Sequence, residues 1–196
     1  MLRIVTIVEG KGEVEALPIL LRRICQRLRL EIVLDLPRPI RVPRDRVVKS
    51  GQLERAIQLA ALRAGQRGRI LVLLDAETDC PAILAPRLME RARETRPDRE
   101  TRVVLAKSEY ESWFLAAAGS VAGRRDIVAT LTSPEDPESI RDAKGWLSAR
   151  MPPGRSYRPT LDQAALTARF DLDAARTAPS FDKLWRELEG LLARQL

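Results

Sequence analysis

The sequence RILVLLDAETD spans residues 69–79 and joins an apolar run directly to three acids. A short, continuous apolar run of this kind is typical of a strand that is buried on both faces of a parallel sheet. The acids Asp75, Glu77 and Asp79 follow at the point where the strand is predicted to end. In an open α/β sheet, ligands bind beyond the carboxyl ends of the strands, so these acids are candidates for a functional site.

Strand and helix patterns alternate on both sides of this stretch. Strands are predicted over residues 2–8, 31–36, 69–74 and 102–106, and 36–45 is predicted to be a loop or an edge strand. Helices are predicted over 13–29, 51–64, 81–96 and 112–118, and in the last third over 139–150, 161–170 and 181–196. The alternation favours an α/β, Rossmann-like fold with a mainly parallel sheet flanked by helices. We expect a core over residues 1–120 and a helical C-terminal extension over 121–196, packed as a single compact unit.

Composition excludes several kinds of chemistry. The chain has 196 residues, 45% hydrophobic and 31% charged, as expected of a globular domain. It contains no histidine, which excludes Ser-His-Asp and Cys-His catalysis and every histidine metal site. Cys25 and Cys80 lack the spacing of a zinc ribbon. Because there is no apolar run of membrane-spanning length and no signal-peptide pattern, we expect a cytoplasmic protein without a membrane partner.

Two further predicted strands also end in acids. Glu9 and Glu13 follow the strand over 2–8, and Glu109 and Glu111 follow the strand over 102–106. Each acid alone is as well explained by a helix terminus or a solvated loop. If the three strands are neighbours, however, the carboxylates meet at one edge, repel one another and attract a divalent cation. Oxygen ligands without His or Cys favour Mg²⁺ or Mn²⁺, so Glu9, Glu13, Asp75, Glu77, Asp79, Glu109 and Glu111 are candidate metal ligands.

Positive charge is concentrated in the first half of the chain. The net charge is +7, yet residues 22–69 alone contain 13 basic and 4 acidic residues. Such a stretch is either a phosphate-binding face or an ordinary solvated surface. Arg44, Arg46 and Lys49 are the candidates for contact with a nucleic-acid backbone. Lys107, at the end of a predicted strand, is a candidate for stabilising charge on a phosphate or for pairing with the nearby acids.

Three segments carry a resemblance to a known fold. IVEGKGE (7–13), LLDAETD (73–79) and AKSEYESWFLA (106–116) resemble the Toprim domain, the catalytic fold of topoisomerases, primases and OLD-family nucleases. That fold has a Glu after its first strand, matched by Glu9, and an Asp-x-Asp after a later strand. Asp75-x-Glu77 matches the second motif with Glu in place of Asp, and Asp79 could supply the shorter carboxylate. The Glu9/Glu13 pair is similar to the OLD nucleases, whose extra acids are compatible with two metals. Over nearly its whole length the chain resembles the bacterial family called domain of unknown function 4276, which is Toprim-like.

The resemblance implies Mg²⁺- or Mn²⁺-dependent hydrolysis of phosphodiester bonds in nucleic acid, most simply DNA, with Glu9 as a metal ligand or general base. It also implies an ATPase partner and a role in phage defence, and it is compatible with a homodimer. Two alternatives stay open: a non-catalytic Toprim-like subunit that binds or regulates an ATPase or a nucleic-acid complex, and a phosphotransfer receiver. Lys144, Asp162, Gln163 and Lys183 form either a second functional cluster or buried polar ties.

Overall fold

The fold is a parallel sheet with helices on both faces. The computed structural model describes residues 1–28, 31–49 and 51–193. The strands are β1 (Leu2–Val8), β2 (Leu34–Asp35), β3 (Ile40–Arg41), β4 (Arg69–Asp75) and β5 (Thr101–Ala106). The helices are α1 (Lys11–Arg27), α2 (Arg44–Val47), α3 (Gln52–Ala64), α4 (Pro81–Thr95), α5 (Ser112–Ala116), α6 (Ala118–Val121), α7 (Ala143–Ser148), α8 (Pro159–Thr167), α9 (Leu172–Ala175) and α10 (Pro179–Ala193), with a 3₁₀ turn at Pro137–Ser139. The strand order is β2-β1-β4-β5, β3 also pairs with β1, and these pairings are parallel. The predicted α/β fold is therefore confirmed.

The three long strands β1, β4 and β5 are neighbours. Their register pairs Val8 with Leu73 and Asp75 with Ala106. The carboxyl ends of all three strands therefore lie at the same edge of the sheet, which is the edge where the acids were expected to meet.

Both faces of the sheet are covered, which explains why β1 and β4 are continuous apolar runs rather than alternating patterns. Val5 and Val72 belong to a buried cluster with side chains of α3 and α4. Their neighbours Ile4 and Leu71 point to the opposite face and join a larger cluster with α1, α5 and α10. Because successive strand residues alternate between faces, each long strand contributes to both cores.

The C-terminal helices pack closely against the strand-and-helix core. α8 lies against α1, and α10 lies against β5. The approach of α8 requires a glycine in α1, since a Cβ on Gly12 would come within 2.9 Å of the Pro159 backbone carbonyl oxygen as well as 1.8 Å of Gln163 Oε1. Aromatic side chains join the two parts as well: the rings of Trp113 and Phe181 meet edge to face, with centroids 5.3 Å apart. The domain boundary near residue 120 stays a prediction.

Several element boundaries differ from those predicted. The strand expected over 31–36 is confined to Leu34–Asp35, and the proline-rich segment that follows contains β3 and the start of α2. The helix expected over 139–150 begins only at Ala143, because the Asp142 side chain caps it by accepting a hydrogen bond from the Gly145 N–H at 2.7 Å. Residue 29 and residues 194–196 of the predicted helices lie outside the described residues. Within the described ranges, no helix is long and apolar enough to cross a membrane.

Candidate functional site

Glu9 lies immediately after β1 and reaches towards the end of β4. Its Oε2 accepts a hydrogen bond from the Asp75 backbone N–H at 3.2 Å. Partial burial and the neighbouring Glu13 carboxylate raise the pKa of Glu9 to about 7, despite that hydrogen bond. Glu9 therefore exchanges a proton near neutral pH.

Asp75 is the last residue of β4 and lies at the centre of the acidic cluster. Its Oδ1 accepts a hydrogen bond from the Tyr110 backbone N–H at 2.8 Å, which fixes the side chain against the turn after β5. Burial, followed by repulsion from Glu111, Glu13 and Glu9, raises the pKa of Asp75 well above its ordinary value. The strands therefore bring together acids from all three of the segments that the sequence singled out.

Glu13 enters the cluster from the first turn of α1. The side chain is buried, and its Oε1 accepts a hydrogen bond from Gln163 Nε2 of α8 at 3.2 Å. Its Oε2 is also buried and has no hydrogen-bond partner among the described residues. A buried, unsatisfied carboxylate oxygen is costly and indicates a position for a ligand.

Glu111 comes from the turn after β5 and is completely buried. Its Oε1 accepts a hydrogen bond from the Tyr157 hydroxyl at 2.8 Å, while Oε2 has no such bond in the described part of the chain. Burial raises the pKa of Glu111 to about 7 even though Lys144 and Tyr157 oppose the shift. Oε2 of Glu111 is thus a second buried oxygen of the cluster without a hydrogen bond in the described chain, and the Lys144 ammonium lies 3.4 Å from it.

Lys144 of α7 places a positive charge among these acids. Its Nζ lies 2.8 Å from Glu109 Oε1, 3.4 Å from Glu111 Oε2 and 3.8 Å from Asp75 Oδ2. Burial alone would lower the pKa of Lys144, but the carboxylates of Glu111, Asp75 and Glu109 outweigh it and raise the pKa. The sequence left Lys144 and Gln163 without an assigned role, and the structure brings both to the acids.

Glu77 and Asp79 lie outside the cluster. Glu77 adopts a left-handed backbone conformation with φ of 53°, and its N–H donates to the carbonyl of Ser108, another left-handed residue with φ of 60°. Such conformations cost about 1 kcal/mol each for residues other than glycine. The Glu77 side chain is exposed, although its charge contributes to raising the pKa of Glu9, and the exposed Asp79 pairs with Arg44. The structure does not bring Glu77 or Asp79 into contact with Asp75.

The four basic candidates lie in different surroundings. Arg44 is largely buried beside Glu9 and Asp79 and lines a cavity of about 500 Å³ together with Arg87 and Arg91. Arg46 and Lys49 are exposed on the segment around α2. Lys107 is exposed as well, but it lines a different cavity, between α4, β5 and α10, of about 370 Å³.

Two of the remaining polar residues have structural partners. Asp162 is completely buried and is held by Arg125 and Arg155. Lys183 pairs with Glu187 one turn later on α10. These contacts explain both residues as polar ties within the C-terminal part.

The comparison with family models gives a match over most of the chain. Residues 8–189 match the model described as Domain of unknown function (DUF4276). The chain belongs to this family. No curated protein and no solved structure matches it. The family assignment confirms that part of the predicted resemblance, while the relationship to Toprim domains and OLD nucleases stays a prediction.

The acidic residues of this DUF4276 chain supply the type of ligand atom, carboxylate oxygen, that a hard cation such as Mg²⁺ prefers. Glu9, Glu13, Asp75 and Glu111 offer carboxylate oxygens. Oε2 of Glu13 is buried without a hydrogen-bond partner among the described residues, and Oε2 of Glu111 is buried and meets the Lys144 ammonium at 3.4 Å. Among the described residues, no three His, Cys, Asp or Glu side chains are already arranged around one point to hold an ion. The ammonium of Lys144 contacts Asp75, Glu109 and Glu111 in the same cluster.

Proposed function

We propose that this protein is a Mg²⁺- or Mn²⁺-dependent hydrolase that cleaves phosphodiester bonds of nucleic acid. The observation that supports the proposal is the convergence of four buried or half-buried carboxylates, Glu9, Glu13, Asp75 and Glu111, at the carboxyl ends of three parallel strands. Repulsion among these carboxylates destabilises the folded protein, and a bound divalent cation relieves it.

Glu13, Asp75 and Glu111 would hold the ion through their oxygens, with the Glu9 carboxylate beside it. When bound, Mg²⁺ or Mn²⁺ supplies Lewis-acid activation of water and of the phosphate. The side chains are oriented in advance, because the backbone N–H of Tyr110 holds Asp75, the Tyr157 hydroxyl holds Glu111, and Gln163 holds Glu13. Such preorganisation lowers the cost of assembling the site during reaction.

Glu9 is the residue best suited to accept a proton from water. It is only half-buried, so solvent reaches it, and its pKa of about 7 matches the working pH of a general base. The role of Lys107 at the phosphate, expected from the sequence, has no support in this geometry because its side chain lines another cavity.

The substrate proposed is DNA, held through its phosphate backbone. The cavity beside Glu9 is lined by Arg44, Arg87 and Arg91 together with the acids Asp45, Glu77 and Asp79. Arg44 pairs with Asp79 and Arg91 with Glu54, so the exposed cations offered to a phosphate backbone are Arg87, Arg46 and Lys49. Cations placed beside a carboxylate site are what a polyanionic substrate requires. The resemblance to Toprim nucleases supports the same chemistry and, with it, an ATPase partner in phage defence.

A second candidate function is a non-catalytic Toprim-like subunit that regulates an ATPase or a nucleic-acid complex. Lys144 is the observation that favours it, since its ammonium already neutralises part of the charge on Asp75, Glu109 and Glu111. In that case the polar cluster would serve to join α7 to the sheet edge, without turnover.

Cleavage assays on single- and double-stranded DNA with millimolar Mn²⁺ separate the two functions. We expect Glu9→Gln to reduce the cleavage rate by about 100-fold or more, because the variant keeps the shape of the side chain but cannot accept a proton. Glu189→Gln is the matched control, at an exposed acid on α10 that has no part in the proposed site, and should retain activity within about threefold. If the wild-type chain binds Mn²⁺ but cuts neither DNA, the non-catalytic function replaces hydrolysis.

A further inference from the structure

Lys144 is held in the acidic cluster by more than one contact. Its Nζ lies 2.8 Å from Glu109 Oε1, and its backbone N–H donates to Glu109 Oε2 at 3.1 Å, so both oxygens of Glu109 face this residue. The same Nζ also contacts Glu111 and Asp75. An ammonium that touches three carboxylates occupies the kind of position that a metal ion takes in an acidic site.

The acids and the lysine differ in how firmly they are fixed. Asp75 and Glu111 are buried and anchored by Tyr110 and Tyr157, whereas one-third of the Lys144 side chain is exposed. Lysine carries its charge on a flexible four-carbon stem. The ammonium can therefore leave towards solvent while the carboxylates remain in place.

One ammonium is a small positive charge for the number of carboxylates that surround it. One ammonium faces Asp75, Glu109 and Glu111, with Glu9 and Glu13 close enough to repel Asp75. Oε2 of Glu13, in the part of the chain that the structure describes, has no hydrogen-bond donor to satisfy it. A single positive charge does not neutralise this set, and a divalent ion does so better.

We infer that Lys144 is the internal counter-cation of the metal site. A divalent ion displaces its ammonium on binding. Lys144 thereby makes the site selective for divalent over monovalent cations. The inference rests on the proposed metal site. A monovalent ion carries the same charge as the ammonium and has to compete with a group tethered at high local concentration. A divalent ion gains twice the Coulomb energy from the same carboxylates and wins that competition.

Metal titration of the Lys144→Met variant tests this role without an activity assay. The full chain is titrated with Mn²⁺ by calorimetry at constant ionic strength, and its melting temperature is measured with K⁺ or with the bulky tetramethylammonium ion. We expect Lys144→Met to bind Mn²⁺ about tenfold more tightly than the wild type. We also expect K⁺ to raise the melting temperature of the variant by several degrees relative to tetramethylammonium, and to leave the wild type unchanged.

Two companion variants keep the result interpretable. Lys183→Met removes a lysine whose ion pair with Glu187 lies on α10, and it should match the wild type in both measurements. Lys144→Gln keeps a hydrogen-bond donor near Glu109 and serves if Lys144→Met does not fold. Unchanged or weaker Mn²⁺ binding by the Lys144 variants, with binding by the wild type, overturns the inference alone. Absence of Mn²⁺ binding in wild type and variants alike overturns the proposed metal site as well.

Discussion

Glu111 and Asp162 are both completely buried carboxylates, yet their electrostatic states are opposite. Burial raises the pKa of Glu111 to about 7, because Tyr157 satisfies one oxygen and the other meets only a shared ammonium. Burial also acts to raise the pKa of Asp162, but hydrogen bonds from Arg155, the Arg158 backbone and Arg125 outweigh it and leave the pKa below its ordinary value. Burial alone does not identify a functional acid. Glu111 and Asp162 differ in the number of hydrogen-bond donors that reach each carboxylate.

Because their hydrogen-bond donors differ, Asp162 and Glu111 have different roles. Asp162 receives donors on both oxygens and binds Arg125 and Arg155 to α8, which stabilises the fold. Glu111 retains negative charge or a proton that the fold does not satisfy, which destabilises the protein in the absence of a cation. Carboxylates of the second kind mark sites where a ligand completes the structure.

The largest effect expected of a single substitution is on stability. Asp162→Asn should lower the free energy of unfolding at pH 7 by about 3 kcal/mol, because two arginines lose their shared partner. Glu111→Gln should change it by no more than about 1 kcal/mol, since the amide still accepts from Tyr157 and no longer repels Asp75. Urea denaturation of both variants measures the contrast. An equal loss in the two would make Glu111 a structural ion-pair partner like Asp162.

The stability of the wild-type protein is also expected to change with pH. Glu9 and Glu111 have folded-state pKa values of about 7, above the ordinary value of 4.5. Their contribution to stability is therefore complete below about pH 4.5 and is lost as the pH rises through 7. We expect the free energy of unfolding, measured without divalent ions, to fall by about 4 kcal/mol between pH 5 and pH 8, with the larger share from the buried Glu111 because solvent screens Glu9.

Two variants sharpen the pH experiment. Glu111→Gln should remove at least half of the decline, because this carboxyl is gone and no longer helps to raise the pKa of Asp75. Asp162→Asn should leave the decline unchanged, since the lowered pKa of Asp162 affects stability only at more acidic pH. A wild-type protein that becomes steadily more stable from pH 5 to pH 8 would contradict the account of both raised pKa values.

The sequence was informative wherever local pattern determines position. The apolar runs of β1, β4 and β5 predicted parallel neighbours, and the acids directly after them were expected at one edge, where Glu9, Asp75 and Glu111 are found. The sequence predicted the positions of side chains less well one or two residues beyond the end of a strand. Glu77 has a left-handed backbone conformation and an exposed side chain, and no residue type at that position signalled either.

Contacts between residues that are far apart in the sequence could not be predicted from local sequence patterns. Lys144 meets Glu109 from 35 residues away, and the Tyr157 hydroxyl meets Glu111 from 46 residues away. These contacts depend on how α7 and the segment before α8 pack against the sheet edge, which periodicity does not encode. The sequence could therefore name Lys144 and Gln163 as polar residues of interest without showing which acids they would meet.

The most direct test of the acidic cluster as a divalent-cation site is a crystal of the full chain soaked in millimolar Mn²⁺ and measured for anomalous scattering. We expect an anomalous peak bounded by the carboxylates of Glu9, Asp75 and Glu111, with the Lys144 ammonium moved away from them. A map without a peak at this position, in which Lys144 still contacts Glu109 and Glu111, would contradict the account.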